Sequence, residues 1–322
     1  MMVTTFAQTY EAMLQEMKKP IRGLDDTLET VLVGFLTGGH LLLEGVPGVG
    51  KTLMANALAK TFQGQFSRIQ FTPDLMPSDV LGVSVYRMSP GGGKDWDFQF
   101  KPGPIFANVV LADEINRAAP KTQSAMLQAM QEENITADGV DHPVPRPFFV
   151  IATMNPIELQ GTFPLPEAQL DRFLMKVLVP YPDEQSERQL FQTHPGLAQP
   201  EVLLADVQAV VSPDQLAALR PIFKTVTLKD SLMDYVHKLL LETRKNRWLM
   251  LGASPRAGIH LFSASRVFAL ARGRDFVTPD DIKGLFLPIL RHRVVLKPEA
   301  QIEGLAPDAV LTEILNAVPV PR

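Results

Sequence analysis

The segment GVPGVGKT, Gly45 to Thr52, carries glycine, lysine and a hydroxyl at every position that the pattern G-x-x-x-x-G-K-[ST] defines. It follows the apolar run LLLE and opens KTLMANALAK, which has the composition of a helix. Glycines in such a turn let backbone N–H groups face inward around phosphate oxygens, and the helix start adds the positive end of its dipole. Gly45, Val46, Pro47, Gly48, Val49, Gly50, Lys51, Thr52 and Leu53 therefore read as one phosphate-binding loop. In that loop Lys51 reaches the β- and γ-phosphates, and the Thr52 hydroxyl ligates Mg²⁺. A second segment, NVVLADEINR, supplies the complement. Asp113 ends an apolar strand, where a carboxylate costs desolvation unless something pairs with it. A phosphate-bridging Mg²⁺ pairs it, and Glu114 then polarises the attacking water. The expected chemistry is hydrolysis of a nucleoside triphosphate, with ATP and Mg²⁺ as the bound groups.

Two further polar positions leave alternatives open. Asn155 ends the apolar run FFVIATMN. It either lies between strand ends, orienting the water or sensing the γ-phosphate, or simply forms the turn before Pro156. Asp171 and Arg172 stand between apolar residues in FPLPEAQLDRFLMKV. They read as a surface ion pair closing a turn, or as a cation kept for phosphate charge.

These residues need a scaffold that brings strand ends together, and the chain has the rhythm for one. HLLLEG, FSRIQF, FANVVLAD, FFVIATMN and MKVLVPY are short apolar strands separated by helical segments, which predicts a mostly parallel sheet covered on both faces. An amphipathic helix over 5–19 precedes them, with Phe6, Tyr10, Met13, Leu14 and Met17 on one side. β-Hairpins are expected as inserts at about 83–104, around a glycine run, and 134–148, where Asp138-Gly139 signals the turn. From 183 to 322 the pattern is helical; in TPDDIKGLFLPILRHR, Thr278 is the expected N-cap and Pro279 the first helical residue. The expected organisation is an α/β nucleotide-binding domain over 1–182 and an all-α lid over 183–322.

Bulk properties exclude several classes. The 322 residues carry 31 Lys and Arg against 35 Asp and Glu, a net charge of −4, so a bulk electrostatic grip on nucleic acid is not expected. Cysteine is absent, which removes disulfides, thiolate metal sites and cysteine nucleophiles. The six histidines have no ligand spacing, and His40 and His292 read as surface or packing residues. The basic run RHRVVLK reads as solvated surface or a lid contact. No signal peptide or membrane-spanning run is evident, so the expected location is the cytoplasm.

GVPGVGKT, LADEINR, IATMNP, LPEAQLDRF and GASPRA occur in this order, with a hairpin after the second strand and another before IATMNP. From about Ile21 to Arg293 the chain resembles the MoxR family of AAA+ ATPases; magnesium-chelatase ATPase subunits and MCM helicases are more distant. The resemblance implies a P-loop NTPase domain, a ring assembly of identical subunits, expected to be a hexamer, and chaperone-like remodelling of a client protein. It also implies a partner bearing a von Willebrand factor A domain. It casts Arg172 as an arginine finger for the neighbouring subunit's γ-phosphate and Arg256, in GASPRA, as a lid sensor touching phosphate. It puts the loop at Arg22-Gly23 near adenine, and leaves Arg117 either at the subunit interface or on an ordinary helix surface. Two other functions compete. A DNA motor of the MCM type is compatible with the hairpins, but KTQSAMLQAMQEEN lacks interleaved aromatic and basic residues. A non-catalytic, nucleotide-gated scaffold has no need of Lys51, Asp113, Glu114 and Arg172 together.

Overall fold

The computed structural model describes residues 2–88, 96–155, 161–193 and 200–321. The expected glycine run of the first hairpin (91–93), Pro156 and His194 lie outside the described residues. Five strands form one parallel sheet in the order β2-β5-β8-β1-β9, where β1 is Leu41–Glu44, β2 Phe66–Gln70, β5 Val109–Asp113, β8 Phe149–Met154 and β9 Met175–Leu178. Side chains alternate across a strand, so each apolar run feeds two cores. Leu41, Leu43, Leu111 and Ile151 enter one; Leu42, Val110, Val150 and Ala152 enter the other. Burial on both faces explains why the central strands β1, β5 and β8 read as continuous apolar runs, whereas the edge strand β2 alternates.

The first core is closed by the helices α1 (Met2–Lys18), α2 (Asp25–Thr37) and α3 (Lys51–Thr61), and the second by α4 (Pro120–Glu132). Phe6, Tyr10, Met13, Leu14 and Met17 are the buried positions of α1, as their spacing requires. The hairpins are β3–β4 (Gly82–Met88 with Trp96–Pro102) and β6–β7 (Asn134–Ala137 with Val140–Pro143), both antiparallel. In the second, Asp138 and Gly139 both have positive φ, at 51° and 77°, which suits a tight two-residue turn. The ring of Phe100 on β4 stacks on His142 of β7, with centroids 4.0 Å apart.

The lid is built on α5 (Asp230–Lys245), α6 (Pro255–Ala271), α7 (Pro279–Leu290) and α8 (Pro307–Ala317). It also holds a feature that the helical pattern does not announce, a short antiparallel pair of β10 (Leu249–Leu251) with β11 (Val295–Leu296). Thr278 caps α7 as expected, and the Asp281 carboxylate accepts its backbone N–H at 2.7 Å. Helix α6 packs on α1 and α2, α7 packs on β9, and Leu261, Ala264 and Val267 of α6 join the first core. The lid is thus seated on the β9 side of the sheet by apolar burial. That seating decides where its arginines stand.

Candidate functional site

The phosphate loop bridges β1 and α3. Gly48 and Gly50 have φ of 84° and 88°, a conformation that L side chains adopt only at a cost, and α3 starts at Lys51 immediately after. Gly45 is needed for a different reason, since a Cβ there would stand 2.7 Å from the Val179 carbonyl oxygen. A cavity of ≈ 450 Å³ lies over the loop, lined by Pro47, Gly48, Gly50, Lys51, Thr52, Leu53 and Asn56, by Arg68 and Gln70 of β2, by Asp113, Glu114 and Asn155, and by Leu203. The C-terminal ends of the strands thus meet at one opening, where open α/β sheets bind ligands.

Each acid is already engaged. Asp113 accepts from the Thr153 hydroxyl at 2.6 Å and from Arg68 at 2.6 Å (Nη2) and 3.1 Å (Nε). Glu114 has φ 58°, an uncommon left-handed conformation for a non-glycine residue, and its N–H donates to the Thr153 hydroxyl at 2.9 Å. Its carboxylate accepts from Gln70 at 3.2 Å and pairs with Arg117 at 3.0 Å. Lys51 Nζ donates to the Gly45 carbonyl at 2.7 Å, and burial lowers its pKa against the opposing pull of Asp113 and Glu114. Asn155 is buried at the end of β8 and lines the cavity.

The donor set suits a magnesium–nucleotide complex. Thr52 and Asp113 both line the cavity and offer oxygen only, and no group of three or more His, Cys, Asp or Glu gathers for a metal among the described residues. Mg²⁺ commonly takes one or two protein oxygens and completes its shell with phosphate and water. A smaller cavity of ≈ 170 Å³ adjoins through Gly48, Gly50 and Leu53, and Pro20, Ile21, Arg22, Leu24, Val49 and Pro182 line the rest. Its mostly apolar walls suit a nucleobase, and they contain the Arg22 loop.

The two remaining candidate arginines lie elsewhere. Arg172 and Arg256 line a separate cavity of ≈ 160 Å³ with His40, Leu127, Met130, Gln131 and His260, and neither lines the phosphate cavity. Asp171 is no simple partner of its neighbour: its carboxylate bonds Arg293 at 2.7 Å and faces Arg256 at 3.6 Å. RHRVVLK is not solvated surface at its start, because His292 and Arg293 are buried; Arg293 makes the lid contact. His40 is a packing residue: its Nε2 bonds the Met130 carbonyl and its Nδ1 accepts from Val150 N–H. Those bonds fix a neutral ring, and burial lowers its pKa accordingly.

Arg68, Gln70, Thr153 and Arg293 escape the sequence reading. Arg68 and Gln70 leave a signal, since they alternate with buried Ile69 on the strand that pairs with LAD, placing Gln70 opposite Asp113.

Residues 40–175 match the ATPase family associated with various cellular activities (AAA), and residues 241–314 match the AAA lid domain. The chain is 42% identical to the chaperone MoxR1 of Mycobacterium tuberculosis over 98% of its own length and 83% of that protein. It belongs to the MoxR family of AAA+ ATPases. An uncharacterized protein of Bacillus subtilis, YeaC, is 44% identical over 96% of this chain and 93% of its own. A crystal structure of a candidate ATPase from Cytophaga hutchinsonii superimposes with a TM-score of 0.89 and 38% identity, covering 100% of this chain and 97% of that one. MoxR-family membership accounts for the layout found here, an AAA domain with a parallel sheet and a helical lid.

Proposed function

We propose that this MoxR-family chain hydrolyses ATP in a ring of identical subunits, a hexamer, and uses the cycle to remodel client proteins in the cytoplasm. A protein bearing a von Willebrand factor A domain is the proposed partner. One observation carries the shared-site reading: Arg172 and Arg256 stand together in a cavity distinct from the one that holds Lys51, Asp113 and Glu114. A chain that used both arginines on its own nucleotide would bring them to its own phosphate loop. Arg256 is carried away from that loop by the packing of α6 on α1 and α2.

In the proposed mechanism the loop N–H groups bind the phosphates, and Lys51 exchanges the Gly45 carbonyl for β- and γ-phosphate oxygens. Thr52 and Asp113 would hold Mg²⁺, which would supply positive charge to offset that of the phosphates. Glu114, oriented through Thr153 and Gln70, accepts the proton of the attacking water, and Asn155 orients that water. Arg172 and Arg256 of the neighbour meet the charge that spreads over the γ-phosphoryl oxygens in the transition state.

The test is ATPase rate per subunit across a wide range of protein concentration. Specific activity that climbs with concentration supports a site completed between subunits. High, flat activity from a species shown by mass to be monomeric overturns it.

A further inference from the structure

The residue that organises the arginine face does not point out of it. Arg293, three residues past the end of α7, has a side chain only 1% exposed, yet it bonds three separate parts of the molecule. Its Nε donates to the Asp171 carboxylate at 2.7 Å and its Nη2 to the Asp171 carbonyl at 3.3 Å. Its other protons go to the carbonyls of Phe173, Leu174 and Ile289. The two Nη2 protons are shared with a third acceptor, Nδ1 of His260 at 2.7 Å, one helical turn beyond Arg256.

One buried guanidinium therefore grips the chain on both sides of Arg172 and the helix that carries Arg256. The Asp171 carboxylate completes the arrangement by facing Arg256 Nη1 at 3.6 Å and the Ser254 hydroxyl at 3.4 Å. Burial draws the Arg293 pKa down to about 10, against the pull of Asp171, so the group is charged at neutral pH. His260 is its neutral complement: burial first, then Arg293, lower its pKa to about 4, leaving Nδ1 free of a proton to accept the bond. A guanidinium planar fork suits this role in a way an ammonium does not.

We infer that Arg293 is a positioning residue that locks Arg172 and Arg256 into one unit, presented to the neighbouring subunit's nucleotide. The inference rests on the shared-site reading above. It predicts a kinetic signature, because a misplacement of about 1 Å in a catalytic group costs on the order of 10²-fold in rate while the chain's own cavity is untouched. R293Q should lose about that factor in kcat and keep its affinity for a fluorescent ATP analogue within about twofold.

The deciding experiment mixes full-length variants. E114Q has a disabled cavity and an intact arginine face; R293Q has the converse. Neither alone should turn over ATP well, and an equimolar mixture should regain activity, because R293Q cavities are then served by E114Q neighbours. R172A mixed with E114Q is the control for the shared site itself. If R172A is rescued and R293Q is not, Arg293 only holds its own chain together and the inference falls while the shared site stands. If neither is rescued, the shared site falls and takes the inference with it. Should R293Q fail to fold, D171N reads the same clamp from its other end with the same two outcomes, and full activity of D171N alone overturns the proposal.

Discussion

The phosphate cavity and the arginine face are held by opposite kinds of ion pair. In the cavity, Asp113 and Glu114 pair with Arg68 and Arg117, whose side chains are 49% and 38% exposed. On the arginine face, Asp171 pairs with Arg293 at 1% exposure. Exposed pairs contribute little and exchange easily, whereas removing one partner of a buried pair leaves a charge stranded in the interior. On the proposed mechanism, a site that must trade protein partners for phosphate and metal keeps its acids on replaceable cations, and a face that must deliver charge to a fixed point keeps its clamp out of water.

The sharpest way to break the comparison is R172A, which should cut kcat by roughly 10³–10⁵ while nucleotide affinity, read by fluorescence titration, stays put. An equal loss of binding would place Arg172 on its own chain's ligand. E114Q should follow with a loss of about 10²–10⁴ in turnover and retained nucleotide binding. G50A tests the loop backbone: the left-handed φ of 88° should cost about 1–3 kcal/mol in strain or distort the loop, seen as a lower melting temperature or weaker nucleotide binding. Acid should act on the buried side of the comparison. His260 has a folded pKa of about 4, and burial lowers those of His40 and His292 as well. Between the ordinary histidine range near 6.5 and that value the unfolded chain binds protons the folded chain refuses. Stability therefore falls as pH drops through this window, by up to about 1.4 kcal/mol per pH unit for His260, with His40 and His292 acting in the same direction. H260N should flatten that slope in denaturant titrations. R68A should have the smallest effect, lowering the Mg²⁺ concentration needed for nucleotide binding by no more than about fivefold, as loss of a half-exposed competitor for Asp113 implies.

Legibility in the sequence follows the same division. Gly45 to Thr52 and Asp113-Glu114 are readable as neighbours of one cavity because each group is local: one turn, or one strand end, contains it. The central strands β1, β5 and β8 are readable because burial on both faces makes them nearly uniformly apolar. Arg172 and Arg256 stand 84 positions apart, and only the seating of α6 on α1 and α2 brings them to one cavity. Arg293 is less visible still. Inside RHRVVLK it looks like any solvated cation, because the groups that bury it (Asp171, Phe173, His260) come from other parts of the chain. The β10–β11 pair is hidden for a simpler reason: strands of three and two residues carry no periodicity to detect.

The stack of Phe100 on His142 has a mechanical consequence. Phe100 pairs with Ser84 close to the Gly82–Pro102 end of its hairpin, and His142 pairs with Ile135 close to the Asn134–Pro143 end of the other. Two cantilevers bolted at the root share their load there. A pull on either arm is delivered to one anchorage, so the two arms pass on the sum of what they feel and not which of them felt it.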